Sequence, residues 1–69
     1  MKLLIAEDEL DLAEALTVFF EKNYFTVDAV HNGFDAYEYA VAGDYDAIIL
    51  DVMMPKMNGI QVLERLRSE

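Results

Sequence analysis

The sequence predicts an α/β fold in which three strands and three helices alternate as β-α-β-α-β-α around a parallel sheet. Three observations carry that prediction. Two short apolar runs, Leu3-Leu4-Ile5-Ala6 and Ala47-Ile48-Ile49-Leu50, show no alternation, as strands covered on both faces do. Apolar residues recur at helical spacing in the stretches between and after them. With 69 residues and no cysteine, the chain is one small unit whose core gains no support from disulfides or thiolate-bound metal.

Lys2 to Ala6 reads as the first strand. From Leu10 the apolar positions Leu12, Leu16 and Phe19/Phe20 form a helical stripe, with Glu14 and Glu21 outside it. Asn23-Tyr24 breaks that pattern, and Phe25 to Ala29 alternates as a second strand would. Asn32, with Asp35 three residues on, reads as an N-cap that opens a second helix and turns Ala36, Tyr37 and Ala40 inward. Gly43 ends that helix at a position suited to a left-handed residue. Ala47 to Leu50 is the third strand, expected to be buried and stopped by Asp51. After a loop from Val52 to Met57 with the only proline, Asn58-Gly59-Ile60-Gln61 has the form of a capping box. The helix it opens should carry Ile60, Leu63 and Leu66 on one face.

Fourteen acidic and five basic residues leave a net charge of −9. Residues 1–55 hold 12 of those acids against 2 bases, so the negative charge lies in the first four-fifths of the chain. Phosphate backbones would repel such a surface, which argues against direct nucleic-acid binding. A hydrophobic share of 55% is too high for a disordered acidic tail. No apolar run is long enough to span a membrane. Glu7-Asp8-Glu9 also ends the first run too early for a signal peptide. A soluble, cytoplasmic chain is expected.

Glu7 and Asp8 directly follow the first strand, and Asp51 directly follows the third. Ligands of open α/β sheets bind outside the carboxyl ends of the strands. If these two strands are neighbours, their backbones lie about 4.8 Å apart. Three carboxylates so placed call for a counter-charge, and Mg²⁺ suits a site of few protein carboxylates that also meets phosphate oxygens. The same positions also suit a plainer role, with Asp8 capping the first helix and Asp51 closing a strand.

The stretches Leu3 to Glu9, Tyr45 to Pro55 and Met57-Asn58-Gly59 closely resemble the receiver domain of bacterial two-component response regulators. The resemblance joins an acidic pair after strand one to an aspartate ending strand three, with a proline four and a glycine eight residues beyond that aspartate. Tyr24, Asn32-Gly33 and Gly43-Asp44 fit the same pattern. It implies a flavodoxin-like receiver fold with strand order 2-1-3, the first part of the family's five-stranded 2-1-3-4-5. It also implies that Asp51 is the phospho-acceptor for a partner sensor histidine kinase. Asp8 would ligate Mg²⁺ directly, Glu7 through water, and Met53 through its backbone carbonyl, while Pro55 and Gly59 shape the adjoining loop. Such a domain is a signalling module in phosphorelay and transcription regulation, not an enzyme; its chemistry is limited to its own phosphorylation and dephosphorylation.

On this resemblance residues 1–69 form a partial receiver domain. The family's Ser/Thr after strand four and Lys after strand five have no counterpart, since Lys56 falls in the wrong element. An interaction or dimerisation module derived from a receiver half is therefore the competing expectation. It would work through the edge of strand three, either by self-association or with a complementary fragment. Aspartate-nucleophile phosphatases need a second acid where Met53 stands, and a flavin phosphate loop would be repelled by Glu7-Asp8-Glu9. His31, the only histidine, is expected to lie away from the acids. Met53, Met54 and Met57 are expected to pack from the loop into the core, with an apolar partner surface near the site as the alternative.

Overall fold

A computed structural model describes residues 1–51, 54 and 57–68. Its elements follow the predicted order: β1 (Lys2–Ala6), α1 (Leu10–Lys22), β2 (Thr26–Val30), α2 (Gly33–Ala42), β3 (Ala47–Leu50) and α3 (Gly59–Arg67). β1 lies between β2 and β3 and runs parallel to both, giving the order β2-β1-β3. Ala6 pairs with Val30 on one side and Leu50 on the other, so all three strands end level with one another.

As the central strand, β1 is buried on both faces. Leu4 and Ala6 join Val30, Ala36, Met54 and Val62 in the main core, with Ile48, Leu50, Met57 and Leu66 packed around them. That is the face of α2 and α3. Leu3 and Ile5 alternate to the other face and are equally buried, on the side where α1 packs over β1 and β2. Leu4, Ile5 and Val62 are the largest fully buried side chains, each contributing about 1.5–3 kcal/mol by leaving water. The Cα radius of gyration, 11.3 Å, matches the roughly 11 Å of a well-packed chain this long.

The helix faces depart from expectation in a consistent way. On α1, Leu12 and Phe19 are exposed, and the helix packs through Ala13, with Leu16, Thr17 and Phe20 half-buried. On α3, Ile60 and Leu63 are exposed, while Gly59 and Val62 are buried. In both helices a small residue sets the inward face, because it lets the helix axis approach its neighbour closely; the larger apolar residues beside it are turned aside. β3 is also less covered than a buried strand would be: Ala47 and Ile49 are exposed on the face where α1 packs over β1 and β2 and not over β3.

Two turns are built differently from their sequence reading. Gly43 is extended (φ −92°, ψ 172°), not left-handed. Its lack of a side chain matters because a Cβ there would strike the Tyr45 ring. The left-handed residue is Tyr24, at φ 70°. It closes α1: the Tyr24 N–H donates to Glu21 O at 3.1 Å and the Phe25 N–H to Phe20 O at 3.0 Å. The Phe25 ring meets Phe20 edge to face at 5.3 Å, completing the apolar contact of this helix ending. Phe25 is thus committed to the turn, and β2 begins one residue later than its alternation suggests. At the amino end of the sheet, the Tyr45 hydroxyl donates to Asp28 Oδ2 at 2.6 Å, and Lys2 Nζ lies 4.9 Å from the ring centroid. Burial, then the Asp28 carboxylate, pushes the Tyr45 phenol up to about 12.

Tyr24 is 93% exposed, so its ring gains almost nothing from packing while its backbone bears the cost of a left-handed conformation. Tyr24→Gly is expected to stabilise the fold by about 1 kcal/mol. Thermal denaturation followed by circular dichroism should show a midpoint higher by roughly 4–8 °C. A lowered midpoint would mean that the tyrosine stabilises the turn in some other way.

Candidate functional site

The level ends of β1 and β3 bring the acids together. One residue beyond β1, the Glu7 N–H donates to Val30 O at 3.0 Å; one residue beyond β3, the Asp51 N–H donates to Ala6 O at 3.0 Å. Each acid is therefore held by a bond that extends the sheet ladder. Glu7, Asp8 and Asp51 each place a carboxylate oxygen within 4.8 Å of the others. Glu7 is buried, Asp51 half-buried and Asp8 exposed, so the cluster opens outward on the Asp8 side.

The converging charge shows in Glu7. Its carboxyl lies above the ordinary carboxylate value of 4.5, first because it hydrogen-bonds Asp51, then because it is buried; Asp8 adds to the effect. The Glu9 N–H, 3.4 Å from Glu7 Oε2, pulls the other way, with more effect than Asp8 has. A hydrogen bond between two carboxyl groups needs one proton between them, so ionising both is disfavoured without a compensating cation.

The plainer role for Asp8 does not hold. Glu9 is the N-cap of α1, its Oε1 accepting from the Asp11 N–H at 3.2 Å. On the other side, Asn58 and Gln61 make the reciprocal capping box of α3, with bonds of 3.0 and 2.9 Å. Gly59 then lies so close to the Asp51 carbonyl that any Cβ would collide with it. Gly33, at the start of α2, approaches the Met57 backbone in the same way. Met54 and Met57 pack into the core as expected. Met53 and Pro55 lie outside the described residues.

His31 is not remote from the acids. Its Nδ1 is 3.0 Å from the Glu7 carbonyl oxygen. The sequence reading ended β2 at Ala29, and that boundary concealed the contact. With β2 running to Val30, level with Ala6, residue 31 falls beside residue 7.

A sheet ordered 2-1-3 with an acid trio at its carboxyl end fits the receiver class of signalling domain, and sequence comparison places the chain within it. Residues 3–69 match the response regulator receiver domain, and the chain belongs to that family. It is 48% identical over 68 residues to the transcriptional regulatory protein CusR of Escherichia coli K12, covering 99% of this chain and 30% of that protein. The receiver domain of Francisella response regulator 1452 superposes with a TM-score of 0.94 at 33% identity, covering 97% of this chain and 55% of that one. Response regulator TrrA of Thermotoga maritima, solved in complex with Mg²⁺–BeF, superposes at 0.92 with 30% identity, covering 97% of this chain and 58% of that one. The chain thus spans under a third of its curated relatives and little more than half of these solved structures. Among the described residues, no helix is long and apolar enough to cross a membrane.

The raised Glu7 carboxyl ties stability to pH. Below 4.5 Glu7 is protonated in folded and unfolded chains alike, and its contribution to stability is fully present. As pH rises through the higher folded value, the shared proton is lost, the carboxylates repel and that contribution disappears. In EDTA, thermal midpoints should fall across this window and recover with Mg²⁺; Glu7→Gln should flatten the trend. An equally steep fall in the Gln variant would assign it to other groups.

Proposed function

We propose that this chain works in the cytoplasm and accepts a phosphoryl group on Asp51 from the histidine of a partner sensor kinase, at a site where Glu7, Asp8 and Asp51 hold Mg²⁺. The observation that carries this reading is the convergence of three carboxylates at the ends of adjacent strands, which holds the Glu7 carboxyl above its ordinary value. That arrangement fits a hard divalent cation, which is bound through oxygen and relieves such repulsion. Bound there, Mg²⁺ would offset most of the trio's charge and lower the cost of bringing an anionic phosphoryl group to a carboxylate. The Met53 carbonyl would complete the protein ligands, and Pro55 and Gly59 would shape the loop. The Mg²⁺–BeF complex of TrrA supports this reading.

In the transfer, an ionised Asp51 oxygen attacks phosphorus. The new O–P bond forms as the P–N bond to the donor imidazole breaks, and the electron pair leaves with the imidazole nitrogen. The chain contributes position and charge to this transfer. CusR and other relatives are named as transcriptional regulators, which supports control of transcription as the output.

Treatment with acetyl phosphate and Mg²⁺ should give a single base-labile adduct, located at Asp51 by borohydride trapping and mass spectrometry. Asp51→Asn should abolish it, and Asp8→Asn should lose most of the Mg²⁺ affinity seen by calorimetry. Label on Glu7 or Asp8 would overturn the assignment.

The outer edge of β3 supports a further part of the reading, that another strand pairs there, from a second copy or a complementary segment. Ile49 is 37% exposed, and no charge or proline interrupts Ala47 to Leu50. Antiparallel self-pairing would set Asp46 of one copy opposite Asp51 of the other, a repulsion that Mg²⁺ offsets. Sedimentation velocity should show concentration-dependent association that is stronger in Mg²⁺ and lost in Ile49→Lys. A compact monomer at every concentration would exclude self-pairing.

A further inference from the structure

The Glu7 carbonyl is held by a side chain where a sheet would use backbone. Because the Glu7 N–H donates to Val30 O, a continued parallel ladder would bring the Asn32 N–H to the Glu7 carbonyl. The chain leaves the sheet at that residue: the Asn32 side chain accepts from the Asp35 N–H at 2.8 Å and caps α2. The His31 ring meets the Glu7 carbonyl at 3.0 Å. A carbonyl oxygen only accepts, so Nδ1 must carry the hydrogen.

We propose that His31 is a positioning residue of the acid site, its Nδ1–H fixing the Glu7 carbonyl so that Glu7 and Asp8 stay convergent on Asp51. Glu7 is then anchored through both peptide planes that flank its Cα, by its N–H to Val30 and by its C=O to His31. Without the second anchor, the segment that turns from β1 towards Glu9 can rotate about the Val30 bond, and both carboxylates move with it. The inference rests on reading the acid trio as a cation site. It assigns His31 neither proton transfer nor metal ligation, and it uses the one histidine of the chain for its donor geometry.

Removing the donor with His31→Ala should weaken Mg²⁺ binding by roughly three- to tenfold, the range expected for one net hydrogen bond. His31→Asn should restore most of it, because its amide nitrogen, like Nδ1, is one bond beyond Cγ. Calorimetric Mg²⁺ affinity would be measured for the parent chain, both His31 variants and Asp8→Asn. In parallel, ¹⁵N shifts of the His31 ring would report its tautomer, and hydrogen exchange would report the Glu7 amide. Nδ1–H in the neutral ring, faster Glu7 exchange in His31→Ala and recovery in His31→Asn are the expected results. If Asp8→Asn loses affinity while His31→Ala binds like the parent, or if His31→Asn binds no better than His31→Ala, the positioning role is overturned and the cation site stands. If the parent and Asp8→Asn bind Mg²⁺ equally, or neither binds it, the cation site itself falls.

Discussion

The proximity of β1 and β3 is the constraint on which the site depends. Strands paired side by side bring their ends within about 5 Å. Here each end carries acid, Glu7 and Asp8 from β1 and Asp51 from β3. Hydrophobic burial of β1, with Leu3, Leu4, Ile5 and Ala6 all out of water, holds the strands in that register. The core thus keeps together charges that would separate in a free chain, and the elevated Glu7 carboxyl is where that cost appears.

This gives the cluster its selectivity for charge over shape. The proximity of Asp51 favours the protonated form of Glu7. A divalent cation bound at the same oxygens would compete with that proton. The charge of −9 favours the approach of cations and repels polyanions.

The order of the elements and the acids at strand ends were legible because each rests on a strong local signal: unbroken apolar runs, cap residues, and acidic residues directly after strands. The strand order came from the resemblance to receiver domains, since spacing alone leaves open which strands are neighbours. The helix faces were not. Leu12, Phe19, Ile60 and Leu63 look like core residues in sequence, yet Ala13 and Gly59 face inward, because close approach of backbones favours small residues over large ones. Nor could spacing reveal the left-handed Tyr24, since such a position normally calls for glycine. His31 was overlooked for a related reason. A one-residue error in the end of β2 hides which side chain lies across from Glu7.

Two glycine contacts connect the site to the helices. Gly59 places the start of α3 against the Asp51 carbonyl, and Gly33 places the start of α2 against the Met57 backbone. No side chain stands between these segments to absorb a displacement. A shift of the Asp51 backbone therefore meets α3 directly, and movement at Met57 meets α2. The two helices also pack against each other over the core that contains Val62 and Ala36. The acid site and the α2–α3 surface are mechanically adjacent through backbone contacts that a single added methyl group at either glycine would disrupt.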